Sequence, residues 1–222
     1  MRRMKKDAFK KWVQAYKNLV SQSRENVWPS ETLIRIVRGD YIPEMDKDFE
    51  GKKVLDVGCG TGNNLMLFAS LGMGLYGCEV GESIVKLARE RLRKCGYNAD
   101  IRVGENRNLP FDSNFFDYLV SWNVIHYEEN KKNMDEAIAE YARVLKPRGR
   151  IFVSTTGPQH MILKDAKLLG NHRYRIGRSG EFRKGQVYFY FDTPEYIKLC
   201  FSEWFRDILV GRVNDYLFTE YQ

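Results

Sequence analysis

Between Lys53 and Ser154, short apolar segments alternate with amphipathic helical ones, and that alternation restricts the chain to a parallel sheet flanked by helices. Strands are expected at Lys53–Val57, Gly74–Glu79, 101–103, 115–121 and 150–154. Helices are expected between them at about 62–71, at Glu82–Lys94 and at 132–145. The second carries Ile84, Leu87, Ala88 and Leu92 on one face. The third is ended by Pro147 and Gly149.

The flanks read differently. Residues 7–26 place Phe9, Trp12, Val13, Tyr16, Leu19 and Val20 on one helical stripe. Ser30 then caps a second helix, Glu31–Arg38, which stops at Gly39. After Ser154 the alternation lapses for more than thirty residues rich in Gly, Arg and Tyr, with an extended stretch at 186–191. A segment this long in a compact domain is usually a lid or binding element. Thr193 and Pro194 open a helix that runs to about Trp204. Residues 206–213 and 216–221 flank Asn214-Asp215, as in a terminal hairpin. One domain, 1–222, is expected, made of a helical arm (1–45), a core (46–156), a lid or substrate insertion (157–191) and a C-terminal helix and hairpin (192–222).

A hydrophobic share of 43% fits a globular chain. No apolar run approaches the roughly 18 residues of a membrane helix. Residues 1–11 are basic, with no apolar stretch behind them, which argues against a secretory signal and for the cytoplasm. Cys59, Cys78, Cys95 and Cys200 are too widely and irregularly spaced for a metal site or a disulfide framework. The net charge of +7 lies almost wholly in residues 1–17, which hold seven basic groups against Asp7 alone. Such an arm suits an anionic partner, although a solvated helix face accounts for it more simply.

The chemistry concentrates at Asp56-Val-Gly58-Cys59-Gly60-Thr-Gly62, between the first strand and its helix. Glycines there let a ligand approach the backbone, and the helix start offers free N–H groups. Glu79, at the end of the second strand, is placed to accept both hydroxyls of a ribose. The dinucleotide spacing G-x-G-x-x-G fails, because Asn63 stands where the last glycine belongs. An acid at position 56 would repel a pyrophosphate but suits a ligand carrying an ammonium group.

These residues resemble the class I S-adenosylmethionine-dependent methyltransferases, over about 52–154. Three motifs carry the likeness in order: 56–62, then Val103-Gly-Glu-Asn-Arg-Asn-Leu-Pro-Phe111 with Phe116-Asp117, then Tyr141-Ala-Arg-Val-Leu-Lys-Pro-Arg-Gly149. The resemblance implies a three-layer Rossmann-like fold. Its sheet would have seven mostly parallel strands, with an antiparallel C-terminal hairpin strand and helices on both faces. It implies S-adenosylmethionine as cofactor and S-adenosylhomocysteine as product. Gly58, Gly60 and Gly62 would lie along its methionine part, with Cys59 beside them, and Asp56 would face its amino group. Glu79, followed by Val80, would hold the ribose. Glu105 and Asn106 would meet the adenine, though the family usually has Asp-Ala there. Ser121, Trp122 and Asn123 would end the fourth strand beside the sulfonium.

Methyl transfer needs an aligned nucleophile, and a base only where that nucleophile must lose a proton. His126, just after the fourth strand, is the candidate base, although a structural histidine packed against the following helix explains it slightly better. Tyr127 and Glu128 share its position. Trp12, Tyr16, Tyr127, His160, Arg173, Arg175 and Tyr188 are the candidate acceptor contacts, and residues 164–184 hold seven basic side chains against two acids. A basic lid favours an anionic acceptor.

No Asn/Asp-Pro-Pro-Tyr/Phe segment follows the fourth strand, which disfavours adenine or glutamine amino groups as acceptors, and no cysteine there serves a pyrimidine carbon. A small-molecule acceptor with O- or N-directed transfer, in a monomer or homodimer, is the leading reading. An RNA acceptor held by the basic arm ranks second, since no RNA-binding module is visible. A nicotinamide oxidoreductase and a non-catalytic cofactor-binding subunit rank below these.

Overall fold

The computed structural model describes residues 10–11, 13–14, 28–42, 45, 47–157, 159–180 and 182–213. Five strands form a wholly parallel sheet: β1 (Lys53–Val57), β2 (Gly74–Glu79), β3 (Ala99–Val103), β4 (Phe116–Trp122) and β5 (Leu145–Ser154), in the order β3-β2-β1-β4-β5. The helices are α1 (Glu31–Arg38), α2 (Asn63–Ala69), α3 (Glu82–Lys94), α4 (Lys131–Val144) and α5 (Pro194–Phe201).

The period of two along the strands sorts side chains to two faces. Val54, Leu75, Ile101, Tyr118 and Val120 pack with α1, α2 and α3 through Leu33, Leu65, Phe68, Val85 and Leu92. Leu55, Val57, Leu119 and Phe116 pack with α4 and α5 through Met134, Ile138, Tyr141 and Phe201. Helices therefore cover both faces, giving the three expected layers.

Among the described residues the main sheet has five of the expected seven strands. Residues 206–213 form no strand, and the rest of the expected terminal hairpin, 214–222, lies outside the described residues. β5 starts five residues before the expected 150, because Lys146–Gly149, with Pro147, fits into a register shift opposite Phe116–Tyr118. A bulge is one of the few places a sheet accepts proline.

The segment after Ser154 has a sheet of its own, β6 (Lys167–Gly170), β7 (Arg173–Arg175) and β8 (Val187–Phe189), all antiparallel. Its first hairpin turns at Asn171 and His172, both left-handed, with φ of 51° and 57°. His172 is held there by stacking on Tyr196 at 3.9 Å. Of the N-terminal segment 7–26, Lys10, Lys11, Val13 and Gln14 are helical, whereas Trp12, Tyr16 and the rest of the apolar stripe except Val13 lie outside the described residues. Among the described residues no helix is long and apolar enough to cross a membrane, and no cluster of metal-ligating side chains occurs.

Candidate active site

The carboxyl ends of β1, β2 and β4 meet around the glycine-rich turn. Gly58, Gly60 and Gly62 all have positive φ, at 65°, 52° and 82°. Gly58 is also sterically required, since a Cβ there would come 2.5 Å from Val124 Cγ2. The amides of Gly58 and Cys59 donate to the Cys78 carbonyl at 2.8 and 3.1 Å, folding the turn back over β2. Arg91 of α3 steadies the far side, donating to the Thr61 carbonyl at 3.0 Å and to Asn63 Oδ1.

Two buried carboxyls face this turn. Glu79 is 2% exposed, and its oxygens accept from the Gly60 and Val80 amides at 3.1 and 2.8 Å. Burial raises its pKa, and the two amides oppose the rise. Asp56 is 1% exposed, and its Oδ2 has no hydrogen-bond partner. Burial first, then the Glu79 charge, pushes its pKa well above the usual carboxylate range. An unpartnered buried acid oxygen is costly unless a donor or cation arrives.

Across the edge, Ile125–Tyr127 forms one turn of 3₁₀ helix after β4. The rings of His126, Tyr127 and Tyr188 meet there, with centroids 4.8 to 5.0 Å apart. His126 is 2% exposed and its Nδ1 is unpartnered. Burial chiefly, helped by Arg183 and His160, lowers its pKa to about 3. The Tyr188 hydroxyl is buried beside Tyr127 and Arg183.

Residues 54–149 match the family described as "Methyltransferase domain". A protein from Mus musculus named probable tRNA methyltransferase 9B is 36% identical over 103 residues, 46% of this chain and 21% of that one. A ubiquinone/menaquinone biosynthesis C-methyltransferase from Shewanella pealeana is 35% identical over 121 residues, 51% of this chain and 47% of that one. The matches thus span less than half the length of these relatives. In fold, the PH0226 protein from Pyrococcus horikoshii superposes with a TM-score of 0.69 at 22% identity, covering 91% of this chain and 94% of that one. A S-adenosylmethionine-dependent methyltransferase from Methanosarcina mazei gives 0.60 at 20% identity, covering 69% and 79%. Residues 54–149 of this chain thus match a methyltransferase domain, on a fold shared with S-adenosylmethionine-dependent methyltransferases.

S-adenosylmethionine is the cofactor of that class, and the residues of this methyltransferase domain fit it. The turn admits a ligand where a Cβ would fill the space, and the orphaned Asp56 oxygen suits an ammonium group. Glu79 retains acceptor capacity beyond its two amide bonds.

The structure sorts the remaining expected residues. Cys59 buries its thiol in the core against Gly77, and burial holds that thiol protonated. Val80 is exposed and linked to Glu79 by its amide. Glu105 is exposed, bridged by its backbone to Asn108. Asn106 faces inward: its Oδ1 accepts from the Tyr141 hydroxyl and its Nδ2 donates to Glu128 Oε1, both at 3.2 Å. Ser121 is buried on the Tyr141 hydroxyl at 3.0 Å, so its backbone rather than its side chain borders the cleft. Trp122 packs against the α1–α3 core. Asn123, at φ 58°, accepts from the Ser154 hydroxyl at 2.7 Å.

On the lid, Tyr188 joins His126, and His160 comes close enough to bear on its charge. The Nδ1 of His160 also caps the Ile162 amide at 3.1 Å. Arg173 and Arg175 are not brought to this cluster. Tyr174 pairs with Tyr188 across the ladder, so the two arginines flanking Tyr174 project from the opposite face. Arg183 stands beside His126 instead, within a run of basic residues that gave no reason to single it out. Arg91 and Arg183 are site-building residues that motif spacing passes over, and Tyr141 opens the third motif, which by itself gave its side chain no role in the site.

Proposed function

We propose that this chain transfers a methyl group from S-adenosylmethionine to a small-molecule acceptor held between the 125–127 turn and the lid. The observation that carries the reading is the pair of buried acids, Asp56 and Glu79, around a turn only glycine can make. When bound, the cofactor supplies an electrophilic methyl on a sulfonium. Asp56 faces its amino group, Glu79 accepts from the ribose hydroxyls, and the 105–106 backbone borders the adenine. Trp122 and Asn123 close the end of β4.

His126 serves by accepting a hydrogen bond from the acceptor's O–H or N–H and so aiming its lone pair. Burial that lowers its pKa to about 3 makes it a poor holder of a full proton. Arg183 and the basic lid favour an acceptor carrying negative charge. Calorimetric titration with S-adenosylmethionine and S-adenosylhomocysteine, on wild type and Glu79→Ala, tests the cofactor site. A panel of hydroxy and amino acids, assayed for S-adenosylhomocysteine release, then tests the acceptor class. A folded wild type that binds neither cofactor form would sink the reading.

One observation supports an RNA acceptor as the second reading. Lys10, Val13 and Gln14 border a cleft of about 640 Å³ with Gly81, Glu82 and Lys86, next to Glu79, so the basic arm starts at the rim of the cofactor site. RNA retention that falls with salt and vanishes on deleting residues 1–11 would favour it.

A further inference from the structure

Glu128 sits where three parts of the site meet. It is 8% exposed and directly follows the 125–127 turn. Its Oε1 accepts from Asn106 Nδ2 at 3.2 Å, and its Oε2 lies 3.2 Å from Arg107 Nε. Both partners belong to the loop after β3. Its backbone carbonyl accepts from the Phe189 amide at 3.0 Å. Among the described residues, that is the one backbone hydrogen bond joining the 160–191 segment to the sheet domain. Phe189 is the neighbour of Tyr188, whose ring lies on His126.

We propose that Glu128 is a positioning residue that transmits occupancy of the adenine side of the cofactor site to lid strand β8, so that cofactor binding orders the acceptor's half of the site. The proposal rests on the reading that the 105–106 backbone borders the adenine. A ligand against that loop fixes Asn106 and Arg107, and these hold the Glu128 carboxylate. A carboxylate held on two sides fixes its own backbone, and with it the carbonyl on which β8 hangs. Tyr141 anchors the other end, bonding both Asn106 Oδ1 and Ser121 Oγ from the helix behind. Coupling of this kind is reciprocal, so a bound acceptor tightens the cofactor by the same factor.

Hydrogen exchange on the full chain, with and without saturating S-adenosylhomocysteine, reads the coupling, and calorimetry on the same samples reads binding separately. In wild type the ligand should slow exchange of the 187–190 amides about threefold or more. Glu128→Ala should still bind the ligand but lose that extra protection, whereas Glu128→Gln, which keeps the acceptor for Asn106, should retain part of it. Asn106→Ala cuts the same link from the other side and should also lose it, which keeps the test open if Glu128→Ala fails to fold. Binding to wild type without slower β8 exchange would overturn the proposal, as would undiminished protection in Glu128→Ala or Asn106→Ala. Failure of wild type to bind at all would instead bring down the cofactor reading, and this proposal with it.

Discussion

Asp56 and Glu79 are buried carboxyls at the ends of adjacent strands, and the charge on Glu79 makes Asp56 harder to ionise. Glu79 has two amide donors, while Asp56 Oδ2 has none. The pair is an unfavourable arrangement for folding that becomes favourable once a cation is present. A raised folded-state pKa means the native chain holds its proton longer than the unfolded one. Stability from this group is therefore present below the unfolded carboxylate pKa and is lost as pH rises through the folded one. Asp56→Asn should raise the Tm of the ligand-free protein near pH 8 by about 2–4 °C, for roughly 1 kcal/mol. It should also weaken S-adenosylmethionine and remove a rise of affinity with pH. Scanning calorimetry and titration at two pH values check both, and a variant less stable than wild type would contradict the assignment.

Glu79 does two jobs at once, holding the turn by the Gly60 amide and remaining open to a ligand. Glu79→Ala should weaken S-adenosylhomocysteine by about ten- to a hundredfold, the range for losing a charged hydrogen-bond partner. Glu79→Gln should lose less, since it keeps an acceptor oxygen. Equal losses in the two variants would mean that charge rather than hydrogen bonding sets the affinity.

The parts of the site that follow from local chemistry were legible in the chain. β1 and β2 fall where expected, because each is a short apolar run bounded by glycine or lysine, and the turn between β1 and α2 has a spacing few other structures need. The lid sheet was not legible. β6 and β7 are four and three residues long and rich in charge, so their pairing is decided by neighbours rather than by propensity. The hairpin turns on the two non-glycine residues Asn171 and His172 after Gly170, and its histidine is held in place by Tyr196, 24 residues away in the chain. Asn106 was placed at the ligand by its motif position, yet its side chain is taken up by Glu128 and Tyr141, 22 and 35 residues away. Spacing can place a backbone at a site without saying which way a side chain turns.

Gly58 meets two separate demands, a φ of 65° and the close approach of Val124. Gly58→Ala should lower Tm by roughly 5 °C or more and weaken the cofactor, from left-handed strain of about 1–2 kcal/mol plus the clash. Adding Val124→Ala should relieve the clash and leave the strain. A double variant no more stable than the sum of the two single losses would show that the two residues do not press on each other.

His126 gives the clearest pH signature. Its pKa of about 3 in the folded chain is set by burial, with Arg183 and His160 adding to the depression. In the unfolded chain it takes a proton near pH 6.5. Between those values the unfolded state binds more protons, so the stability His126 contributes is intact above about pH 6.5 and falls as the pH drops toward 3. His126→Gln removes the titration, so the gap in stability between wild type and variant should narrow from about pH 7.5 to about pH 5 in urea unfolding. A gap that stays constant would mean His126 titrates alike in both states. The same depression bears on turnover. A general base at this position would need a pKa near neutrality and would put an inflection near pH 6.5 into kcat/KM. The buried imidazole should give none above pH 5, and His126→Gln should lower kcat/KM evenly across that range. An inflection present in wild type and absent in the variant would restore His126 as the base, with a pKa near neutrality in the free protein.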